Sequence, residues 1–171
     1  MLKNGSLDFI ITVSPPQCAG LDTVCLIDEP IVALVRDTSP LAHHKTVRPG
    51  ELKAEILLIY RDAPALRQSF SGYFREGERP LMHEVFDPLL RLRSSGGCML
   101  LSESAYNAYT RRGILEHCVG IPVESDDARR RLYLSRYPQR GESAVCRDYL
   151  HFLQQYFRRV AEERCLPDFR A

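Results

Sequence analysis

Apolar and polar positions change their pattern in blocks along the chain, and each block predicts an element. The run 7–13, LDFIITV, is apolar and rich in β-branched residues, which is typical of a buried parallel strand. The segment 21–37, LDTVCLIDEPIVALVRD, predicts two more strands because Asp28-Glu29-Pro30 interrupts its apolar pattern. The stretch 38–52 mixes Pro, Gly, His and charged residues without a period, and therefore predicts a connection on the surface.

From residue 55 onward, strand and helix patterns alternate. Three apolar runs predict strands: EILLIY at 55–60, LMHEVF at 81–86 and CMLLS at 98–102. A helix is predicted at 64–77, with one apolar face formed by Leu66, Phe70, Tyr73 and Phe74. A shorter helix at 87–97 opens on Asp-Pro and closes on Gly-Gly. This β-α-β-α-β order with short connections predicts a parallel sheet.

The last third of the chain predicts a short helix that stops at Gly113, two strands and a long helix. The strands are expected at 119–124 and 129–137. The long helix is expected from Ser143 as N-cap to residue 163. Its apolar stripe, expected to cover strands near the N-terminus, comprises Val145, Tyr149, Phe152, Leu153, Tyr156, Phe157 and Val160.

Ligands of open parallel sheets bind beyond the carboxyl ends of the strands, so the residues at those ends are candidate ligand contacts. The candidates are Thr12 and Ser14 after the opening strand, Arg61 and Asp62 after 55–60, Phe86 after 81–86, and Ser102 after 98–102. Arg61 favours an anionic ligand, for example a carboxylate, because guanidinium groups pair well with planar anions.

Each candidate also has a purely structural interpretation, which the sequence leaves open. Asp62 precedes Ala63-Pro64 and is a natural N-cap for the following helix. Thr12 and Ser14 can satisfy local backbone groups at a strand end. Arg61 can simply be solvated, and Phe86 can belong to the core.

Composition narrows the class of protein. The chain has 23 Lys and Arg against 22 Asp and Glu, with neither sign gathered into a long block, so we expect no nucleic-acid surface on it. Its six cysteines show no C-x-x-C spacing, and neither a signal peptide nor a membrane-length apolar run is found. A reduced, cytoplasmic setting is therefore expected.

The sequence predicts a binding module that needs no metal or cofactor. His43 and His44 are adjacent and point in different directions, which disfavours a metal site. G-x-S-x-G, H-E-x-x-H and phosphate-loop motifs are absent, as is a cluster of paired acids, which disfavours an enzyme.

The order of these segments resembles the C-terminal effector-binding domain of LysR-type transcriptional regulators. NGSLDFIIT resembles the family's Gly-x-x-Asp strand, LIDEPIVALVRDTSPLA its next strand pair with a His-Pro-Leu-Ala-like turn, and ELKAEILLIY the entry to its second lobe. SSGGCMLLSES resembles the Gly-x-Gly-Ile-x-x-x-Pro segment, although Cys98 replaces an aliphatic residue and Ser102 replaces the proline. The resemblance extends over nearly the whole chain.

The resemblance implies an α/β fold of two Rossmann-like lobes, as in type II periplasmic binding proteins, with a small effector between them. Lobe I would comprise 1–54 and 124–171, and lobe II 55–123. In the family, a winged helix-turn-helix and the first elements of lobe I precede the point where this chain starts. We therefore expect an incomplete lobe I, an exposed edge at 7–13, and self-association into a homo-oligomer.

The resemblance implies an effector sensor that controls DNA binding by a helix-turn-helix domain absent from this chain, through lobe closure or subunit rearrangement. A free-standing solute-binding or inhibitory fragment is the alternative, and an enzyme on the same fold is a third hypothesis. Because the family includes a peroxide sensor, a redox role for Cys98 and Cys118 is also considered, but both lie in strand-like segments, which disfavours it.

Overall fold

The computed structural model describes residues 2, 6–61, 70–77, 79–138 and 144–162. Its strands are β1 (Phe9–Thr12), β2 (Asp22–Arg36), β3 (Ile56–Tyr60), β4 (Leu81–Val85), β5 (Cys98–Ser102), β6 (Cys118–Pro122) and β7 (Arg129–Arg136). Its α-helices are α1 (Pro88–Ser95), α2 (Glu103–Arg111) and α3 (Ala144–Glu162), and 3-10 helices cover Pro40–His43 and Pro49–Ala54. Within the part of the chain so described, no helix combines the length and apolarity needed to cross a membrane.

The chain divides into two compact units. The first unit comprises Met1–Glu29 and Arg130–Ala171, and the second unit is Pro30–Arg129. The chain therefore passes between the units within β2 and again within β7. The lobe limits predicted above follow the family's chain order rather than compactness, and they stay a prediction.

The second unit is built on the predicted β-α-β-α-β arrangement. β3 pairs in parallel with β4 along its whole length and with β5 at Leu57 and Cys98. The second half of β2 lies antiparallel to both β5 and β6. Every residue of β5 is buried, and Val32, Ala33, Leu34 and Val35 of β2 are fully buried. This double-sided burial explains the continuous apolar runs in the sequence.

Helices α1 and α2 begin where the sequence provides caps. The Asp87 carboxylate accepts a hydrogen bond from the Leu90 N–H at 3.0 Å, and Pro88 occupies the first turn of α1. The Ser102 hydroxyl accepts from the Ala105 N–H at 3.3 Å and caps α2. Gly96 and Gly113, which follow the two helices, have φ of 77° and 65°, in the region that favours glycine.

The helix predicted at 64–77 lies partly outside the described residues, which omit 62–69. The described remainder is helical at 70–72. Phe70 and Phe74 are buried in the core of the second unit, and Tyr73 packs against it, as the predicted apolar face requires.

The prediction of two strands within 21–37 is wrong, because β2 is continuous from Asp22 to Arg36. Proline lacks an N–H and normally interrupts a ladder. Here Pro30 directly precedes Ile31, where pairing with β5 begins, so its nitrogen lies at a change of partner.

The stretch 38–52 is also less superficial than predicted. Val47 and Leu52 are almost fully buried and belong to the core of the second unit. The Val47 N–H donates to the Pro122 carbonyl at 3.0 Å, and the Glu124 N–H donates to the Val47 carbonyl at 2.8 Å. Two isolated apolar residues within a polar segment give no periodic signal, so the pattern could not identify them.

The opening strand is antiparallel and half-exposed, not buried and parallel. β1 pairs with β7, with Phe9 opposite Arg136 and Thr12 opposite Tyr133. Ile11 is 43% exposed. Among the described strands β1 lies at the end of the order, beside β7, and β7 lies beside β2. A short apolar run does not reveal how many of its faces and edges are covered.

Helix α3 forms where a helix was predicted, with the predicted N-cap Ser143 outside the described residues, but the predicted stripe is mostly uncovered. Leu153 is buried, whereas Phe152 is 57% exposed. Four side chains form an exposed row, which we call the outer row: Val145, Tyr149, Phe152 and Tyr156. The Phe9 and Tyr149 rings stack at 5.3 Å, so the outer row continues onto β1. The apolar face of the helix is wider than the row that the first unit buries.

Candidate functional site

The three parallel strands of the second unit end at the same level, and this carboxyl edge is the predicted ligand-binding edge. Tyr60 pairs with Val85, so the next residue on each strand, Arg61 and Phe86, lies at the same level of the sheet. The Arg61 N–H still donates to the Val85 carbonyl at 2.8 Å. On the other side Leu57 lies opposite Cys98, and counting along both strands brings Arg61 level with Ser102.

The side chains of Arg61 and Phe86 contact each other at this edge. The guanidinium carbon of Arg61 lies 4.2 Å from the centroid of the Phe86 ring. Phe86 is 72% exposed, so its interpretation as a core residue is wrong. A cation–π contact at an exposed site contributes about 0.5–1 kcal/mol and limits the orientations of the guanidinium. The edge therefore presents a partly ordered positive group with an apolar surface beside it.

Ser102 lies at the edge as the N-cap of α2. Its side chain is largely buried, and its hydroxyl oxygen lies 3.2 Å from that of Ser104. The cap orients the first turn of α2, whose N–H groups carry partial positive charge toward the edge. Its structural role is therefore visible in the geometry, while a direct contact with a ligand stays a prediction.

The other candidates are not brought to this edge by any described contact. Thr12 and Ser14 belong to the first unit, where the Thr12 hydroxyl donates to the Ser14 carbonyl at 2.7 Å. This hydrogen bond agrees with their structural interpretation as partners of local backbone groups. Asp62 lies outside the described residues.

The second unit also contains a cavity of about 500 Å³ that sequence reasoning did not find. Its polar lining includes Arg48, Glu51, Tyr73, Arg75, Glu124 and Asp127. Glu51 accepts from the Arg48 N–H at 2.6 Å, and the Arg48 Nε lies 3.9 Å from a Glu124 oxygen. The lining comes from three distant segments, none with a motif, so only the folded chain reveals it. The cavity can offer both signs of charge to a ligand.

The cysteines of the second unit do not have the properties of reactive thiols. Burial raises the pKa of Cys98, and Glu55 raises it further. Burial also raises the pKa of Cys118, although Arg93 and Arg36 lower it. Both thiols are therefore protonated near neutral pH, which disfavours a redox role. Among the described residues no three His, Cys, Asp or Glu side chains form a group that could hold a metal ion.

Comparisons with known proteins identify similar sequences. A family model described as LysR substrate binding domain matches residues 1–158. The transcriptional dual regulator GltC of Bacillus subtilis (strain 168) is 26% identical over 180 residues, which cover 95% of this chain and 59% of GltC. The chain thus spans less than two thirds of that relative.

Solved structures show the same fold. The OxyR C206 mutant of Corynebacterium glutamicum matches with a TM-score of 0.71 and 19% identity, over 95% of this chain and 50% of that one. The CcmR regulatory domain of Synechocystis PCC6803, in complex with 2-PG, matches with a TM-score of 0.66 and 17% identity, over 91% and 76% of the two chains. Identities this low support the architecture alone.

Proposed function

Because the chain belongs to the LysR substrate binding domain family, we propose that it senses a small-molecule effector for a transcriptional regulator. The observation that carries the proposal is the family match over residues 1–158. The family is a substrate binding domain, and the curated relatives are transcriptional regulators. These matches confirm the prediction of a binding module rather than an enzyme.

We propose that the carboxyl edge of the second unit contacts the effector. Arg61 supplies a guanidinium that can form two hydrogen bonds with one carboxylate, and Phe86 supplies an apolar surface beside it. The N-terminus of α2, capped by Ser102, adds N–H donors of the same polarity. The guanidinium of Arg61 and the N-terminus of α2 favour an anionic ligand, and the structure of CcmR with 2-PG shows that a domain of this fold binds a ligand.

In the complete regulator, effector binding would change the affinity for DNA. The chain carries no charge block suited to DNA, so a helix-turn-helix domain elsewhere in the protein would make that contact. The effector would favour one lobe arrangement or subunit packing over another, and this difference in affinity would drive the switch. The regulator would act as a homo-oligomer in the cytoplasm.

The proposal is tested by a thermal-shift screen of the protein against anionic metabolites, followed by calorimetric titration of any ligand that stabilises it. Arg61→Ala should lower the affinity for an anionic effector by about tenfold, which is the loss expected for one charge-assisted hydrogen bond. Arg79→Ala, an exposed arginine just before β4, is the matched control and should leave affinity unchanged.

Equal affinity of the Arg61→Ala variant and the parent protein would remove Arg61 from the site. If the complete regulator bound operator DNA equally well with and without a saturating ligand, the sensing role itself would be wrong. If this chain alone is produced in cells and acts without a DNA-binding domain, the alternative of a free-standing solute-binding or inhibitory fragment is favoured.

A further inference from the structure

A second pocket in the second unit brings two arginines and a histidine together. Arg36 ends β2, Arg93 lies in the last turn of α1, and Glu116 and His117 directly precede β6. These four residues line a cavity of about 220 Å³, which we call the arginine pocket. A phosphate or small carboxylate fits this volume.

Backbone contacts fix the positions of these side chains. Arg36 lies opposite Cys118 in the β2–β6 ladder, and the Asp37 N–H donates to the His117 carbonyl at 3.0 Å. The Arg93 guanidinium donates to the Ile114 carbonyl, which anchors its head in the turn before β6. The backbone around the pocket is therefore held by ordered elements, Arg36 is half-buried, and Arg93, Glu116 and His117 are exposed at the rim of the pocket.

Positive charge predominates among the lining residues. The lining residues carry two guanidinium groups, those of Arg36 and Arg93, and one carboxylate, that of Glu116. Asp37 stands nearby, but its carboxylate lies 3.2 Å from the His117 Nδ1 and is engaged there. Burial and Asp37 raise the pKa of the neighbouring Cys118 thiol, whereas Arg93 and Arg36 both lower it, so the fields of the two arginines overlap at this place.

His117 has a backbone conformation that is unusual for its type. Its φ is 58°, the only positive value for a non-glycine residue among those described. Such strain is concentrated at functional sites, where the surrounding structure maintains it. Here it places the imidazole beside both the arginine pocket and Asp37.

We propose that the arginine pocket binds a small oxyanion, such as inorganic phosphate, as a ligand site separate from the carboxyl edge. Arg36 and Arg93 donate charge-assisted hydrogen bonds to the anion, and His117 borders it. The pairings Val35 with Cys98 and Ile31 with Ser102 put the pocket beside the amino end of β5 and the carboxyl edge at its other end. The two sites can therefore be occupied at the same time.

The test is a titration of the ¹⁵N-labelled 171-residue protein with sodium phosphate at constant ionic strength, followed by amide chemical shifts. Saturable shifts are expected at Asp37, His117 and Cys118. Arg36→Gln and Arg93→Gln should each weaken binding by about tenfold. Arg112→Gln, which removes an exposed charge just beyond α2, is the matched control and should have no effect. A parallel titration with acetate distinguishes a phosphate site from a carboxylate site.

Shifts that rise linearly without saturation for both anions would overturn the proposal, because they indicate an adventitious ion only. An equal response of the parent protein and Arg36→Gln would also overturn it, and this variant suffices if Arg93→Gln fails to fold. Arg61→Ala should retain the saturable shifts at Asp37, His117 and Cys118, so failure of this proposal is distinct from failure of the effector proposal.

Discussion

Two neighbouring ion pairs join β2 to β7, and burial gives them different energetic weight. The Glu29 carboxylate accepts from Arg130 at 2.8 Å, and its side chain is only 6% exposed. Asp28 and Arg131 lie 3.1 Å apart, and both are well exposed. A buried charge needs its partner for stabilisation, whereas water can replace the partner of a charge at the surface.

Arg130→Met should therefore lower the free energy of unfolding by about 2 kcal/mol, since it removes the guanidinium from a buried carboxylate. Arg131→Met makes the same substitution at the exposed ion pair and should have little effect on the free energy of unfolding. Urea denaturation of both variants at neutral pH measures the difference. Equal loss in the two variants would contradict the argument from burial.

Cys98 gives stability a defined pH dependence. Burial raises its pKa in the folded protein above the ordinary value of 9.0. The neutral thiol is thus favoured on folding, and its contribution is complete below pH 9 and is lost as the pH rises further. Between pH 9 and 10.5, the parent protein should lose stability relative to Cys98→Ala with a slope that rises toward about 1.4 kcal/mol per pH unit as the thiol of the unfolded chain ionises. Urea denaturation under reducing conditions tests this, and a constant difference would contradict it.

At the scale of elements, α3 uses different side chains for folding and for association between copies. Leu153 is buried within the first unit, while Phe152 belongs to the outer row and stacks between Tyr149 and Tyr156 at ring distances of 6.1 and 6.2 Å. Exposed apolar rows of this kind promote self-association. The expected homo-oligomer can therefore depend on residues that contribute little to folding.

Leu153→Ser should destabilise the protein by about 3 kcal/mol, because it removes a buried side chain and introduces a hydroxyl. Phe152→Ser should leave the unfolding free energy of dilute protein nearly unchanged but shift sedimentation toward the monomer. If Phe152→Ser associates like the parent protein, the outer row is not the contact between copies.

The elements themselves were predictable where a periodic pattern coincides with a capping residue. Asp87-Pro88 and Gly96 fixed the ends of α1, and the β-α-β-α-β order fixed the level of Arg61, Phe86 and Ser102. Periodicity states that a face is apolar, but not whether another element covers it, so the pattern alone did not predict the exposure of α3 and β1, and the exposed edge at 7–13 was expected from the family resemblance instead. Both cavities combine distant polar segments, which leave no local pattern.

At the scale of the whole molecule, protection should follow position within the sheet. β5 is buried throughout, and residues 31–35 of β2 pair with it. β1 is short and half-exposed, and it lies at the end of the strand order in the described part of the chain. The strands therefore differ in how much structure must open before their amides meet water.

Hydrogen exchange measured by NMR should be slowest for β5 and residues 31–35, and much faster for the amides of β1. Its result also bears on the predicted exposed edge at 7–13. A monodisperse monomer whose residues 7–13 are as protected as β5 would show that the opening strand is fully paired within one chain.

The unbroken course of β2 constrains how the gene can change in length. Successive side chains of a strand alternate between faces, and this strand extends through 15 residues from pairing in the first unit to pairing in the second. Loss or gain of a single codon near Pro30 would turn every side chain on one half to the opposite face. We expect in-frame length variation among homologues to be concentrated in the connection before Asp22, where no alternation has to be kept.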